Sequence, residues 1–262
     1  MSHPPPALEV LLPAGSGDPI GPDPAEARLS ALYAYPGASG SGRWAWLRGN
    51  MISTVDGAST GADGRSGSIN GPADLRVFTT LRALADVVLV GAGTVRSEGY
   101  RAPRTAPALV PGRGSRGQAD HPALAVVTAS GDLPPDLLAD HPAPWVFTTQ
   151  AAPHLADLRR RLPADRLHVH RDTVDLALVR HALAEGDHPR ILTEGGPSLL
   201  AALLREGLVD ELCLTTSPVL VGGPAPRILD GTDWYRPAVR ASPTHLLHAD
   251  GVLLARWLVT SD

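Results

Sequence analysis

RILTEGGPSLLAALL, residues 190–204, compresses a strand, a glycine turn and a helix into one stretch. Arg190 to Thr193 is a short apolar run of the kind buried in a parallel sheet. Gly195 and Gly196 permit a tight turn, and Pro197 with Ser198 opens a strongly apolar helix. Such a turn presents free backbone N–H groups at a helix N-terminus, at the strand end where α/β sheets bind ligands. Glu194, at the mouth of the turn, repels a phosphate. It reads either as a group for a polar substrate or sugar, or as a carboxylate capping the helix.

Working outward, the same pattern occurs upstream. DVVLVG reads as a buried strand and runs into Gly91-Ala92-Gly93-Thr94 at a helix start, within LVGAGTVRSEG, residues 89–99. This turn is either a phosphate cradle or a plain strand-to-helix corner. A Rossmann fingerprint would need a third glycine where Arg96 stands, so that site is excluded. Between the two turns the elements alternate: ALAVVT, PPDLLA, PWVFTT, AAPHLADLRRRL, LHVH and TVDLALVRHALAEG. Strand-helix alternation of this kind predicts a largely parallel sheet with helices on both faces. Beyond residue 210 the texture changes. DELCLTTSPVLVG, SPTHLLHAD and GVLLARWLV read as strands, the last two joined as a hairpin through Ala249-Asp250-Gly251. The expected fold is one α/β domain over residues 43–262, with a mostly parallel central sheet finishing in antiparallel C-terminal strands. Residues 1–42, rich in Pro, Gly and Ser, read as a partly ordered arm with a short helix around 24–33. Residues 99–122, with four Arg and no period, read as a long mobile surface loop that contacts ligand.

Composition narrows the chemistry. All 23 cationic residues are Arg, so neither a Schiff-base lysine nor a Walker-type lysine is present. A net charge of -4 gives no electrostatic case for nucleic acid or an anionic membrane. Cys213 is the single cysteine, which removes internal disulfides and zinc sites of paired cysteines, and it reads as a buried strand residue. The ten His are scattered without metal spacing, so no metal site is expected. Without a basic signal-peptide start or a long apolar run, the chain reads as cytoplasmic.

Two further segments carry candidate chemistry. In PADLRVFTTLRAL, residues 72–84, Leu75, Phe78 and Arg82 recur at i, i+3 and i+7, which puts a guanidinium on the apolar stripe. Arg82 either snorkels past the core edge or grips a substrate phosphate or carboxylate. In NMISTVDGASTGADGRSGSIN, residues 50–70, Asp56 precedes a turn glycine, and Ser66 and Ser68 lie in a Gly/Ser-rich loop.

Together the blocks NMISTVDG, SGSINGPADLRVFTTLRALADVVLVGAGTV and RILTEGGPSLLAALLREGLVDELCLTTSPVLVGG resemble the pyrimidine reductase family of riboflavin biosynthesis, in order and spacing, over about residues 44–230. The resemblance implies a dihydrofolate-reductase-like three-layer sandwich. It implies NADPH as hydride donor and a uracil carrying a ribosylamino phosphate as substrate. It assigns Ser68, Gly91, Gly93, Thr94, Glu98, Gly195, Gly196, Pro197, Ser198, Leu199 and Leu200 to the cofactor. Ser66, Arg82 and Glu194 fall to the substrate, and Asp56 and Glu194 to catalysis. The family's substrate-side Arg falls at Arg101 or Arg104, and Arg96 is a candidate for the 2′-phosphate. Where the family has consecutive aspartates and a Pro, this chain reads Arg96-Ser97-Glu98-Gly99-Tyr100. No deaminase half is present, because its zinc-binding His and paired Cys motifs are missing. A homodimer is expected from the apolar C-terminal strands and the family. Reduction of a pterin such as dihydrofolate in the same pocket, or NADPH binding without catalysis, are the alternatives.

Overall fold

The computed structural model describes residues 5–15, 17–37, 45–231 and 233–260. The expected boundary at 42–43 lies outside the described residues. In chain order the elements begin with β1 (Glu9–Leu12), α1 (Ala27–Leu32), β2 (Trp46–Thr54), α2 (Pro72–Leu84), β3 (Val87–Gly91) and α3 (Ala92–Glu98). The middle is α4 (Val110–Ser115), β4 (Ala123–Val127), α5 (Pro135–Leu138), β5 (Trp145–Thr149), α6 (Leu155–Arg161), β6 (Leu167–His170) and α7 (Leu176–Glu185). The chain closes with β7 (Arg190–Thr193), α8 (Pro197–Arg205), β8 (Glu211–Ser217), β9 (Arg240–Ala249) and β10 (Val252–Thr260).

The strands form one sheet in the order β1-β9-β10-β8-β2-β7-β3-β4-β5-β6. From β8 to β6 all neighbours are parallel, and β10, β9 and β1 follow β8 in antiparallel sequence. Side-chain alternation along β3 explains the layering. Val88 and Val90 join one core with α1, α2, α3, α5 and α6, while Val87 and Leu89 join the other with α7 and α8. The result is the mostly parallel, three-layer α/β fold with antiparallel C-terminal strands that the sequence pattern predicts. The β9–β10 turn is a two-residue one, with Asp250 at φ 51° and Gly251 at φ 80°, which suits the hairpin's twist. Cys213 is buried in β8, and burial pushes its thiol up to about 12, so it is inert. No helix among the described residues is long and apolar enough to cross a membrane.

Several expectations need correction. The strand expected over 210–222 ends at Ser217, where β2 also runs out of partners and Pro218 offers no N–H to a ladder. The buried stripe of α2 is Ala73, Val77, Leu81 and Leu84, while Leu75 is 53% exposed. Phe78 and Arg82 therefore lie on a neighbouring stripe that faces a cavity. The segment 99–122 is anchored rather than a free loop. It holds a 3-10 turn at Pro107–Leu109 and the helix α4, and it buries Arg113 completely. Arg113 donates to the carbonyls of Arg82, Ala83 and Ala85, Arg116 to that of Ala83, and Gln118 to that of Leu84. The orphan carbonyls at the end of α2 are thereby satisfied by side chains from this segment.

The described part of the arm is woven into the body. β1 adds an edge strand against β9, and Leu8, Leu29 and Tyr33 are core residues. Arg76, on the outer face of α2, places Nε and Nη2 on the Glu26 carboxylate, both at 2.7 Å. Its remaining donors reach the carbonyls of Pro6, Ile20 and Gly21. A second buried cluster joins Arg48, Glu211 and Arg256, and its guanidiniums also take the carbonyls of Leu32, Tyr33 and Ala34.

Candidate active site

Because β3 and β7 pair directly, with Leu89 opposite Thr193, their two glycine turns emerge side by side. The Gly91 N–H donates to the Gly195 carbonyl at 2.8 Å. Gly195 takes φ 82°, a conformation that favours glycine, and a Cβ there would meet the Met51 sulfur at 3.0 Å. A Cβ on Gly196 would stand 2.6 Å from Thr94 Oγ1, so the bare backbone is what lets the starts of α3 and α8 touch. The first turn of α8 leaves the N–H groups of Ser198 and Leu199 without intrahelical acceptors.

These turns form the floor of a cleft with two adjoining lobes. The smaller, of about 330 Å³, is lined by Gly91, Gly93, Thr94, Gly196, Pro197, Ser198 and Leu199. The larger, of about 550 Å³, is lined by Asn50, Asp74, Phe78, Arg82, Tyr100 and Arg104. Met51, Ser59, Ser66, Glu98 and Glu194 border both, so the two lobes adjoin. The smaller lobe offers what a dinucleotide's phosphates require: glycines that admit close backbone approach, and N–H donors at a helix start.

Glu194 and Arg82 are neighbours, brought together from β7 and α2. Arg82 Nε and Nη2 grip the two Glu194 oxygens at 2.7 Å each, and the Tyr100 hydroxyl also donates to Glu194. The guanidinium lies 4.1 Å from the Phe78 ring centroid and 5.5 Å from that of Tyr100. Burial, then the adjacent Glu194 charge, pushes the Tyr100 hydroxyl well above its ordinary value, so it stays protonated as a donor. Ser66 donates to Glu98 through both its N–H and its hydroxyl, at 2.8 and 3.0 Å, where the two lobes meet. Of the two substrate-side candidates, Arg101 is drawn to Asp136 and Asp140 at 3.3 and 3.5 Å. Arg104 lines the larger lobe, and no acceptor among the described residues holds its guanidinium.

Four expected site residues, and Arg96, lie elsewhere. Asp56 is exposed outside the cleft, bonded to Thr54 and to the N–H groups of Val221 and Gly222, so it fastens one turn to another. The Thr54 hydroxyl, then the Gly222 N–H, holds its carboxyl below the usual range. Ser68 is bonded to Asp63 and the Arg65 carbonyl on the loop's outer side. Leu200 is fully buried, and its N–H closes the helix on the Gly196 carbonyl. Gly195 links the turns from beneath, as Gly91's acceptor, without lining a lobe. Arg96 turns away to the Asp132 carbonyl at 2.8 Å. In return the cleft contains Asn50, Asp74 and Tyr100, none of which the sequence singled out. Asp74 looks like an ordinary first-turn helix acid, and only the strand packed against α2 reveals its direction.

Comparison with known proteins places the chain in a family. The family model described as the RibD C-terminal domain matches residues 45–250. A 2,5-diamino-6-ribosylamino-4(3H)-pyrimidinone 5′-phosphate reductase of Methanothermobacter thermautotrophicus is 32% identical over 198 residues, spanning 73% of this chain and 87% of that protein. The riboflavin biosynthesis protein RibD of Mycobacterium tuberculosis is 29% identical over 177 residues, 68% of this chain but 43% of the relative. In structure, a pyrimidine reductase-like protein from Corynebacterium diphtheriae superimposes with a TM-score of 0.71 at 24% identity, covering 83% of this chain and 93% of that one. The extent of the family match and the identity to the archaeal reductase show that the chain belongs to the RibD C-terminal domain family.

Proposed function

We propose that this chain is a cytoplasmic, homodimeric, NADPH-dependent reductase that reduces the ribosylamino group of a pyrimidine ribosyl phosphate to ribitylamino, in riboflavin biosynthesis. The observation that carries the reading is the two-lobed cleft, in which paired glycine turns adjoin a lobe with a guanidinium unpartnered among the described residues. The residues fit a reduced dinucleotide: Gly91, Gly93, Thr94 and the Gly196–Leu199 backbone offer a phosphate cradle without side-chain obstruction. When bound there, NADPH supplies a hydride for the sugar carbon C1′.

The chain's own residues do the rest. Arg104, which no acceptor among the described residues holds, takes the substrate phosphate. The expectation that Arg82 binds that phosphate is revised, because its fork is committed to Glu194. Arg82, Glu194 and Tyr100 instead act as one polar wall that orients the pyrimidine and its sugar hydroxyls. Phe78 and Met51 exclude water on the apolar sides, which keeps the reacting carbon dry and aligned. For the homodimer, the support is the exposed apolar run Val219, Leu220 and Val221, next to exposed Val55.

The test is purified protein with NADPH and the uracil ribosylamino phosphate, following loss of absorbance of the reduced nicotinamide. NADH and dihydrofolate serve as comparators. Turnover with the pyrimidine and NADPH, but not with dihydrofolate, is the expected result. Tight NADPH binding with no turnover of the pyrimidine refutes the reading.

A further inference from the structure

Resting on the reductase reading, we propose that Asp74 is the general acid of this site and gives its proton to the ribose ring oxygen as the sugar opens. Reduction at C1′ needs one hydride and one proton. As the C1′–O4′ bond breaks, O4′ takes the proton from Asp74 and the lone pair of the exocyclic nitrogen forms a C=N bond. Addition of a hydride to C1′ returns that pair to nitrogen, and Asp74 recovers a proton from solvent. The electrons and protons balance with no further reagent.

The assignment follows from what the other acids of the cleft are doing. Both Glu194 oxygens are taken up by the Arg82 fork, and the Tyr100 hydroxyl donates to one of them as well. Glu98 accepts twice from Ser66. Tyr100 has its proton directed at Glu194, and Asp56 lies outside the cleft. Asp74 lines the larger lobe at 5% exposure, and among the described residues no cation pairs with it. One carboxyl oxygen takes the Thr215 hydroxyl at 2.5 Å, and the other has no partner among the described residues. A first-turn Asp ordinarily turns back to its own helix, but this one points across to β8 and the cavity. Burial pushes its carboxyl up to about 6, even though the Thr215 hydroxyl pulls it down, so near neutrality it carries a usable proton. The titratable and charged groups that share its lobe are Arg82, Glu98, Tyr100, Arg101, Arg104 and Glu194, while Asn50 and Thr215 beside it do not titrate.

The experiment compares wild type, Asp74→Asn and Thr215→Val in pH profiles of kcat with the pyrimidine, alongside NADPH binding by fluorescence. For Asp74→Asn we expect kcat to fall about 100- to 10,000-fold with NADPH affinity unchanged. Wild-type activity declines as pH rises through the Asp74 titration, and Asp74→Asn abolishes that alkaline limb. Thr215→Val removes the bond that lowers the carboxyl, so the limb moves to higher pH, a shift that a merely structural role would not produce. Turnover by Asp74→Asn within a few-fold of wild type, with the limb intact, overturns the acid alone. Wild-type protein inert towards the pyrimidine overturns the reductase reading and the acid with it.

Discussion

The burial of Asp74 has a thermodynamic consequence that is independent of turnover. Its carboxyl is displaced from the ordinary Asp value of 3.8 to about 6, principally by burial and against the Thr215 bond. A displacement of about two pKa units corresponds to about 3 kcal/mol between the two protonation states. The sign is fixed by where each state loses its proton. Below about pH 4 the carboxyl is protonated both folded and unfolded, and it contributes no pH-dependent difference. Between about pH 4 and 6 the unfolded chain releases the proton while the folded protein keeps it, so stability falls as pH rises. Above about pH 6 the folded state carries the full cost of an ionised, unpaired, buried carboxylate. Asp74→Asn removes that charge while conserving shape and the contact with Thr215. Urea unfolding of wild type and variant should therefore diverge, with the variant gaining about 3 kcal/mol relative to wild type between pH 4 and pH 8. For a chain of this size that gain is about 6–12 °C in Tm at pH 8. Any constant offset from the amide cancels in the comparison, as do the other titrating groups shared by both proteins. A difference that stays flat within about 0.5 kcal/mol across that range would refute the placement of Asp74 as a desolvated group.

The remaining expectations concern the supports of the cleft and its free cation. Arg76→Met leaves the Glu26 carboxylate and three arm carbonyls without their donor, so we expect a loss of about 3–5 kcal/mol in chemical unfolding. The double variant Arg76→Met/Glu26→Gln should recover part of that loss, and additive losses would deny the pairing. Arg104→Ala should raise KM for the phosphorylated pyrimidine about 10- to 100-fold while NADPH affinity holds, whereas Arg101→Ala should change KM by less than about threefold. Asp56→Ala should leave kcat near wild type and accelerate amide hydrogen exchange at Val221 and Gly222, and a collapse of kcat with exchange unaltered would restore a catalytic role.

The fold was legible because its signals are local. The β-branched run at 87–90 predicts a strand covered on both faces, and α7 and α8 appear where the apolar period and a leading Pro or Asp mark them. The two glycine turns were equally readable, because each needs only a strand, small residues and a helix start. What the sequence hid depends on direction and on distant partners. The spacing of Leu75, Phe78 and Arg82 selected a stripe, but the core face of α2 is set by where Val77 and Leu81 meet the sheet. Asp56 and Ser68 carry the same residue types whether they meet a ligand or another turn, and only the contacts with Gly222 and Asp63 decide between those fates. The anchoring of 99–122 was hidden for a related reason. An Arg in a Pro-rich segment looks solvent-exposed until three carbonyls of another helix surround it.

These hidden contacts converge on one element. α2 carries Asp74, Phe78 and Arg82 into the cleft, yet it sits beside the strand ends without being fixed by the sheet ladder. Its outer face is held by the arm through Arg76, and its C-terminus by Arg113, Arg116 and Gln118. Reactive groups lose much of their effect when displaced by about 1 Å, so a helix that brings an acid and an oriented guanidinium needs such bracing. The glycine turns require none, because β3 and β7 set their spacing directly. One side of the cleft is therefore fixed by hydrogen bonds of the sheet, and the other by buried arginines, Arg76 reaching from α2 to the arm and Arg113 reaching in from 99–122. Several arginines of this unusual composition are structural in origin, whereas Arg104 lines the cleft with no acceptor among the described residues, which is why the proposal gives it the phosphate.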